Sequence, residues 1–322
     1  MKNAVLAIDI GGTNTKIGLI SNAETIGEVN SIPSDGHNDF DHYTDALLDA
    51  ANKVIAAVPV NAFDGIGIGV AGFVDDAHSM MVFNPNIAWL ENFPLAEYLK
   101  NAFAKPVFVE VDSNAAALAE AVHGSGQGSR RLLVLAIGTG LGGGMIVDGE
   151  ILRISNQCLG DVGHVIVEPG GPQCLSGCHG CAEAFVSSPA LENLAKALAK
   201  ENPTSDLGTL LQQHDRITGR EVIALAKSGE RYATSAIETL GYYLGVAIAS
   251  MAPIFSPDTI CIAGGISEAG SILIDATKKS FHQNVGTDYG KEVAIKKAYF
   301  GWQAVLIGAA TAFEKSHLQK AE

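Results

Sequence analysis

Three of the chain's five cysteines lie within eight positions, in the segment PQCLSGCHGCAE at residues 172–183. They are Cys174, Cys178 and Cys181, and His164 precedes the first of them by ten residues. One imidazole and three thiolates can supply the tetrahedral coordination of zinc, and these spacings are common among its ligands. The pattern therefore predicts a structural zinc site. A redox dithiol and uninvolved thiols are the alternatives, and the strand–helix context of a thioredoxin-like dithiol is absent.

Asp112 is the candidate for acid–base chemistry. The segment PVFVEVDSNAAALAEAVHG, residues 106–124, begins as an apolar strand and continues as an alanine-rich helix, for which Ser113 or Asn114 would be the cap. A carboxylate at such a junction projects into the crevice of an α/β sheet and can accept a proton. The structural alternative is that Asp112 is itself the N-cap of the helix.

Glycine turns follow three apolar strands, in AVLAIDIGGT (residues 4–13), LLVLAIGTGLGGG (132–144) and TICIAGGIS (259–267). Main-chain N–H groups in such turns can hold phosphate, and the alternative is that strand geometry alone requires the glycines. Gly138, Gly140 and Gly143 formally match G-x-G-x-x-G. A strand pattern, GMIVDG, follows them where dinucleotide binding needs a helix, and there is no P-loop motif.

The recurrence of strand–turn units predicts two similar α/β lobes that face each other. The boundary is expected near residue 115, which gives an N-terminal lobe at 1–115 and a larger lobe with the zinc loop at 116–301. The amphipathic helix at 302–318 is a candidate to complete the first lobe.

Composition limits the function classes. The chain has 322 residues, is 47% hydrophobic and 17% charged, and carries a net charge of −14. This profile is globular, and the acidic charge disfavours nucleic acid and anionic membrane as partners without excluding a phosphorylated ligand. The apolar stretch at 240–255 is short for a bilayer span and indicates a core helix. With neither a targeting segment nor a secreted disulfide pattern, we expect a cytoplasmic protein.

Eight segments resemble, in the same order, the ROK family of sugar kinases within the hexokinase/actin-like ATPase superfamily. They are DIGGTNTKIG, GIGVAGFVD, PNIAW, VDSNAAALAE, GTGLGGG, GDVGHVIVEPGG, CLSGCHGCAE and AGGIS. The resemblance implies a two-lobed, ribonuclease H-like α/β fold with an inter-lobe cleft. It also implies transfer of the ATP γ-phosphoryl group to a sugar hydroxyl, usually at C6, and, by analogy, a homodimer. Glucose is the default substrate, and N-acetylmannosamine, N-acetylglucosamine, mannose, allose and fructose stay open.

The resemblance assigns roles residue by residue. Asp112 matches the catalytic base, and His164 is both a sugar-pocket residue and a zinc ligand. The phosphate and nucleotide positions, where Asp9 also helps to place Mg²⁺, are Asp9, Gly11, Gly12, Thr13, Gly138, Thr139, Gly140, Gly264 and Gly265. The other positions that line or shape the sugar pocket are Gly72, Asn86, Asp161 and Glu183.

Three departures from the family pattern bear on activity. Val111 replaces the asparagine of the usual Asn-Asp, and Asp161 replaces a glutamate that is one methylene longer. Ser176 occupies the position of the second family cysteine, and we hypothesise that Cys178 supplies the missing thiolate. The first two departures keep a non-catalytic sugar-binding protein open. A sugar-sensing repressor is the other alternative, and the few residues before Asp9 are not expected to hold its DNA-binding segment.

Overall fold

The protein is described by a computed structural model that covers residues 4–34, 40–57, 63–83, 87, 90–154, 157–214, 216–286 and 292–318. Strands and helices alternate along most of the chain, as the α/β prediction requires. The strands are β1 (Ala4–Ile10), β2 (Asn14–Ser21), β3 (Glu24–Pro33), β4 (Phe63–Val70), β5 (Phe73–Val74), β6 (Met81–Phe83), β7 (Val107–Val111), β8 (Arg131–Ile137), β9 (Leu141–Val147), β10 (Glu150–Ile151), β11 (Thr259–Ala263) and β12 (Ala294–Lys297). The helices are α1 (Phe40–Ala56), α2 (Leu95–Phe103), α3 (Asp112–His123), α4 (Ala182–Phe185), α5 (Ser188–Glu201), α6 (Asp206–His214), α7 (Gly219–Lys227), α8 (Arg231–Phe255), α9 (Ser271–Asn284) and α10 (Ala304–Leu318).

The first five-stranded sheet has the order β3-β2-β1-β4-β7. β1 and β2 form a hairpin around Gly11 and Gly12, whereas β1, β4 and β7 run parallel. In this register Asp9 pairs with Gly69, and Gly69 pairs with Glu110. The carboxyl ends of these three strands therefore lie along one edge of the sheet.

Glycine alternation in β4 brings a helix directly onto the sheet. Ile66, Ile68 and Val70 are fully buried in the core of this sheet. The intervening glycines point the other way, towards α10, and a Cβ added at Gly67 would collide with the backbone of Ala309. The period of two expected for a strand thus gives one face of large side chains and one bare face that a helix backbone can approach.

The second five-stranded sheet has the order β10-β9-β8-β11-β12, with β8, β11 and β12 parallel. The 25-residue helix α8 packs along α9 and contains the predicted core helix at 240–255. By length and composition α8 could cross a membrane, but 56% of its most apolar window is buried inside the protein. That burial is typical of a core helix.

The chain divides into two compact units. The first comprises Met1–Gln127, Gly144–Gly160 and Gln303–Glu322, and the second comprises Gly128–Gly143 and Asp161–Trp302. Within the first unit, α10 packs on α3 and β4. The predicted assignment of the chain to two kinase lobes with a boundary near residue 115 stays a prediction.

The start of α3 differs from the expectation. Neither Ser113 nor Asn114 is its cap, and neither is Asp112, because the helix begins at Asp112 and the preceding residue is the extended Val111. No side chain caps the helix. The strand therefore runs into the helix without a loop, which fixes the backbone of Asp112 from both sides.

Replacing Gly67 with alanine should destabilise the first unit by about 1–3 kcal/mol, because α10 would have to move away from the added Cβ. The midpoint of urea unfolding measures the effect. Gly219→Ala is the matched control, since a Cβ there meets only an ordinary contact with Leu191. It should change the unfolding free energy by less than about 0.5 kcal/mol. Equal effects of the two substitutions would contradict the close approach of α10 to β4.

Candidate active site

In the first unit, three of the predicted site residues meet at the carboxyl edge of the parallel strands. Asp9 is near the end of β1, Gly72 follows β4 with φ 103°, and Asp112 follows β7. Because the carboxyl ends of parallel strands line the ligand crevice of an α/β sheet, this edge is the place where side chains meet a ligand.

Asp9 is 6% exposed and forms an ion pair with Lys16, with 2.8 Å between Oδ2 and Nζ. Burial raises the pKa of the Asp9 carboxyl, and the charge of Lys16 opposes this shift. The next turn is tight, since Gly11 N–H donates to the carbonyl of Asn14 over 3.2 Å. Thr13 is exposed, and its carbonyl accepts from Ser34 N–H. The turn thus places exposed main chain beside a buried carboxylate.

Asp112 has the electrostatics of a proton acceptor. Burial raises the pKa of its carboxyl to about 7, the nearby charge of Asp9 adds to the rise, and the Ser113 N–H opposes it. That N–H donates to Oδ1 over 2.6 Å. A carboxyl group that titrates near neutral pH is suited to general-base catalysis, because it combines the ionised form with a useful basicity.

A buried network that the sequence analysis missed surrounds this junction. Glu110, two residues before Asp112, is fully buried and accepts from both terminal guanidinium nitrogens of Arg153, over 2.6 and 3.0 Å. Asn114 Nδ2 donates both to Glu110 Oε1 and to the carbonyl of Gln157. A charged residue in the apolar strand VFVEV was the only signal in the sequence, and it did not identify the partner.

The second unit contains the other two groups of predicted nucleotide residues. Gly138 N–H donates to the carbonyl of Gly140 over 2.9 Å, which closes the turn between β8 and β9, and Thr139 at its tip is exposed. Gly264, with φ 86°, follows β11 and lies so close to the carbonyl of Ile137 that a Cβ would not fit. Gly265 begins the short 3-10 helix Gly265–Ala269. The two glycine turns are therefore neighbours.

The predicted metal ligands also come together in the second unit. Ligand atoms of His164, Cys174 and Cys178 lie within 4.8 Å of one another, with 3.9 Å between His164 Nδ1 and Cys174 Sγ. Burial raises the pKa of the Cys181 thiol, and its interaction with Cys174 adds to the rise, which places Cys181 beside this group. The separations among His164, Cys174 and Cys178 suit ligands of one tetrahedral ion, and Cys181 is the candidate for the fourth ligand.

The remaining sugar-pocket predictions have different outcomes. Asp161 is exposed and precedes the 3-10 helix Val162–His164, whose last N–H donates to the Asp161 carbonyl over 3.0 Å. Glu183 lies in α4, and its Oε2 accepts from Leu141 N–H over 3.0 Å. Asn86 lies outside the described residues.

The two sheets with their helices define an α/β protein with the actin-like ATPase fold. The chain belongs to the ROK family, which its sequence matches over residues 5–316. It is 33% identical to a glucokinase of Halalkalibacterium halodurans over 86% of this chain and 84% of that enzyme.

Two solved structures extend the comparison. The ROK family glucokinase from Streptomyces griseus, in complex with glucose and AMPPNP, has a TM-score of 0.83 at 30% identity and covers 96% of this chain and 99% of its own. A ROK family transcriptional regulator, a homologue of the E. coli Mlc protein, has a TM-score of 0.85 at 28% identity over 96% of this chain and 77% of its own. The relatives thus include both sugar kinases and regulators.

Asp112→Asn should stabilise the protein more at pH 8 than at pH 5. The folded-state pKa lies above the unfolded value, so the stabilising contribution of the protonated carboxyl is complete below pH 4 and is lost as the pH rises to about 7. Above that pH the wild type buries a charge that the variant lacks. Thermal unfolding should show a gain in Tm that is on the order of 2–4 °C larger at pH 8.

Asp75→Asn is the control of opposite sign. Although burial acts to raise it, hydrogen bonds from Met80 N–H and Ser79 lower the pKa of Asp75. Loss of that carboxylate should therefore lower the Tm at pH 8, and by less as the pH falls below 4. A Tm gain for Asp112→Asn that does not change with pH would show that the fold does not raise the pKa of Asp112.

Proposed function

We propose that this protein phosphorylates a hexose at the 6-hydroxyl with ATP, and that glucose is the first substrate to test. The observation that carries the proposal is the Asp112 carboxyl at the sheet edge with a pKa of about 7. The similarity to glucokinases over most of both chains supports it. No other carboxyl group that the structure describes combines a strand–helix junction with such a pKa.

Each residue takes a defined part in the reaction. Asp112 accepts the proton of the sugar hydroxyl as its oxygen attacks the γ-phosphorus. Gly11 closes the first turn through its N–H bond to Asn14, and the main-chain N–H groups of Gly12 and Thr13 bind phosphate oxygens. The turn at residues 138–140 binds phosphate in the same way. Asp9 offers the hard oxygen ligand that magnesium prefers, and a divalent cation bound with ATP offsets charge on the phosphoryl oxygens. Gly264 and Gly265 lie against the adenosine.

The sugar is held by residues that line or shape the pocket. The proposed set is Gly72, Asn86, Asp112, Asp161, His164 and Glu183. Val111 removes an amide and Asp161 shortens a carboxylate at this site, so N-acetylmannosamine, N-acetylglucosamine and other hexoses are the alternative substrates. Glucose and the nucleotide analogue bound to the Streptomyces griseus enzyme support ATP and sugar as the partners.

We also propose that His164, Cys174, Cys178 and Cys181 hold one structural zinc ion. The donor set of one imidazole and three thiols supports this, because it is typical of closed zinc sites. The ion would lower the pKa of the thiols, which burial raises in its absence. The segment between residues 164 and 183 would then be fixed at both ends.

Release of ADP across a panel of hexoses tests the proposed function. The panel contains glucose, mannose, fructose, allose, N-acetylglucosamine and N-acetylmannosamine, each with Mg·ATP. We expect sugar-dependent ADP release with at least one of them and a 6-phosphate product by NMR. A protein that binds a sugar in calorimetry but releases no ADP with any member of the panel would be a non-catalytic binder.

Asp112→Asn should lower kcat by about 10²–10⁴-fold while sugar binding is retained, because the amide cannot accept the hydroxyl proton. Coupled ADP-release kinetics and calorimetric titration of the sugar measure the two quantities. Wild-type kcat should rise as the pH increases through about 7, because Asp112 then becomes ionised. Near-normal kcat in the variant would remove Asp112 from the mechanism.

Cys178→Ser should lose most of its zinc, since it removes one of four ligands, whereas Ser176→Ala should retain one zinc per chain. Ser176 is exposed and occupies the position where the family has a cysteine. Metal content after dialysis and release to a chromogenic chelator provide the measurement. Full zinc content in Cys178→Ser, or zinc-free wild-type protein that is folded, would contradict the ligand assignment.

A sugar-responsive regulator is the second candidate, favoured by the TM-score of 0.85 to the Mlc homologue. It predicts sugar binding without turnover, together with a change in affinity for a macromolecular partner. The acidic net charge of −14 speaks against direct DNA binding by these residues. We further propose a homodimer in the cytoplasm, which light scattering and cell fractionation would test.

A further inference from the structure

The turn between β8 and β9 is held at both of its ends by the segment that follows the cysteine cluster. Glu183 Oε2 accepts from Leu141 N–H, directly after the turn, over 3.0 Å. Ser188 N–H donates to the carbonyl of Gly138, the first residue of the turn, over 2.7 Å. The two contacts come from residues five positions apart on one short stretch of chain.

The contact between Glu183 Oε2 and Leu141 N–H also depends on Gly140. A Cβ at this position would collide with the carboxylate of Glu183. This glycine at the end of the turn therefore does more than permit a bend, because it makes room for a carboxylate to reach the main chain. A side chain at residue 140 would displace Glu183 from Leu141 N–H.

The opposite side of Leu141 is held by the turn that carries His164. Gly163 packs against the Leu141 carbonyl so closely that it has no room for a Cβ, and the Val162 side chain occupies the space beside Gly143. Leu141 itself is 5% exposed. Its N–H is thus fixed by a residue two positions after Cys181, and its carbonyl by the residue just before His164.

We infer that Glu183 is a positioning residue for the phosphate-binding turn, and that it couples sugar binding to nucleotide binding. This inference rests on the proposed function. Within the described part of the chain, Glu183 Oε1 makes no hydrogen bond, so it is the oxygen that a sugar hydroxyl would meet. A hydroxyl bound there restrains the carboxylate, and the restrained Oε2 holds Leu141 N–H and with it the conformation of residues 138–140.

The coupling has a definite direction. The turn is preorganised for phosphate when Oε2 is engaged, so sugar bound to Oε1 raises the affinity for nucleotide, and nucleotide raises the affinity for sugar by the same factor. The cysteine cluster contributes because it fixes the chain on both sides of Leu141. The group formed by His164, Cys174, Cys178 and Cys181 therefore supports the phosphate-binding turn as well as the proposed sugar pocket.

The test compares Glu183→Ala with Glu183→Gln, which keeps an oxygen that can accept from Leu141 N–H but removes the charge. The control is Glu168→Ala, since Glu168 lies in the segment between His164 and Cys174 and its carboxylate instead accepts from the Tyr243 hydroxyl. Hydrogen exchange of a peptide that covers residues 138–143 is measured without ligand, and Mg·ADP affinity is measured by calorimetry with and without glucose or the sugar that the panel identifies.

We expect Glu183→Ala to exchange the Leu141 amide at least about tenfold faster and to bind Mg·ADP about tenfold more weakly, with no enhancement by sugar. Glu183→Gln should keep the protection and the sugar-free affinity for Mg·ADP but lose the enhancement. Glu168→Ala should behave as the wild type. Unchanged exchange of Leu141 in Glu183→Ala would overturn the inference, and so would wild-type enhancement in either variant.

The exchange measurement needs neither turnover nor ligand. A chain that phosphorylates no hexose, but in which Glu183→Ala exposes Leu141 and weakens Mg·ADP, would contradict the proposed kinase activity and leave the positioning role intact. A working kinase in which Glu183→Ala leaves the exchange unchanged would support the proposed kinase activity and contradict the positioning role of Glu183.

Discussion

The carboxylate of Glu110 is fully buried in the first unit, and the groups around it donate hydrogen bonds to it. An ionised group in such a place is tolerated only when it is paired and hydrogen-bonded. Its donors come from the next residue of the strand, from the first turn of α3 through Asn114, and from Arg153 in a segment 43 residues away. One buried charge thereby fixes the position where β7 becomes α3.

Glu110 and Asp112 lie two residues apart and differ in the number of hydrogen-bond donors that their carboxyl groups meet. Glu110 has four donors, two of them from a guanidinium group. Asp112 has the single N–H of Ser113 and feels the charge of Asp9. Few donors and a nearby negative charge leave burial free to raise the pKa of the Asp112 carboxyl. The Glu110 network fixes the junction, and Asp112 beside it receives one hydrogen bond.

Local patterns in the sequence predicted local structure well, but they did not predict contacts between residues that are distant in sequence. Apolar runs followed by glycine turns located β1, β8 and β11, and the apolar-to-alanine change located the strand–helix junction at Asp112, because these depend on neighbours in the chain. The cap of α3 was wrong, since propensity favours a polar cap and the structure needs none where a strand enters the helix directly. The partners of Glu110 and Glu183 lie 43 and 42 residues away, and no periodicity relates them. The glycine face of β4 was visible as a composition and the helix at 302–318 was a candidate to complete the first lobe, but the sequence did not show that this helix covers β4.

The placement of α10 against β4 has a consequence for folding of the chain during its synthesis. Protein synthesis delivers domains from the N-terminus at a pace that lets early segments fold while later ones are still being made. Residues 63–70 leave the ribosome long before residues 304–318 exist, so the glycine face of this strand waits uncovered while the whole second unit is translated. The first unit to emerge is therefore the last to be completed, because its sheet lacks its covering helix until residues 304–318 have been made.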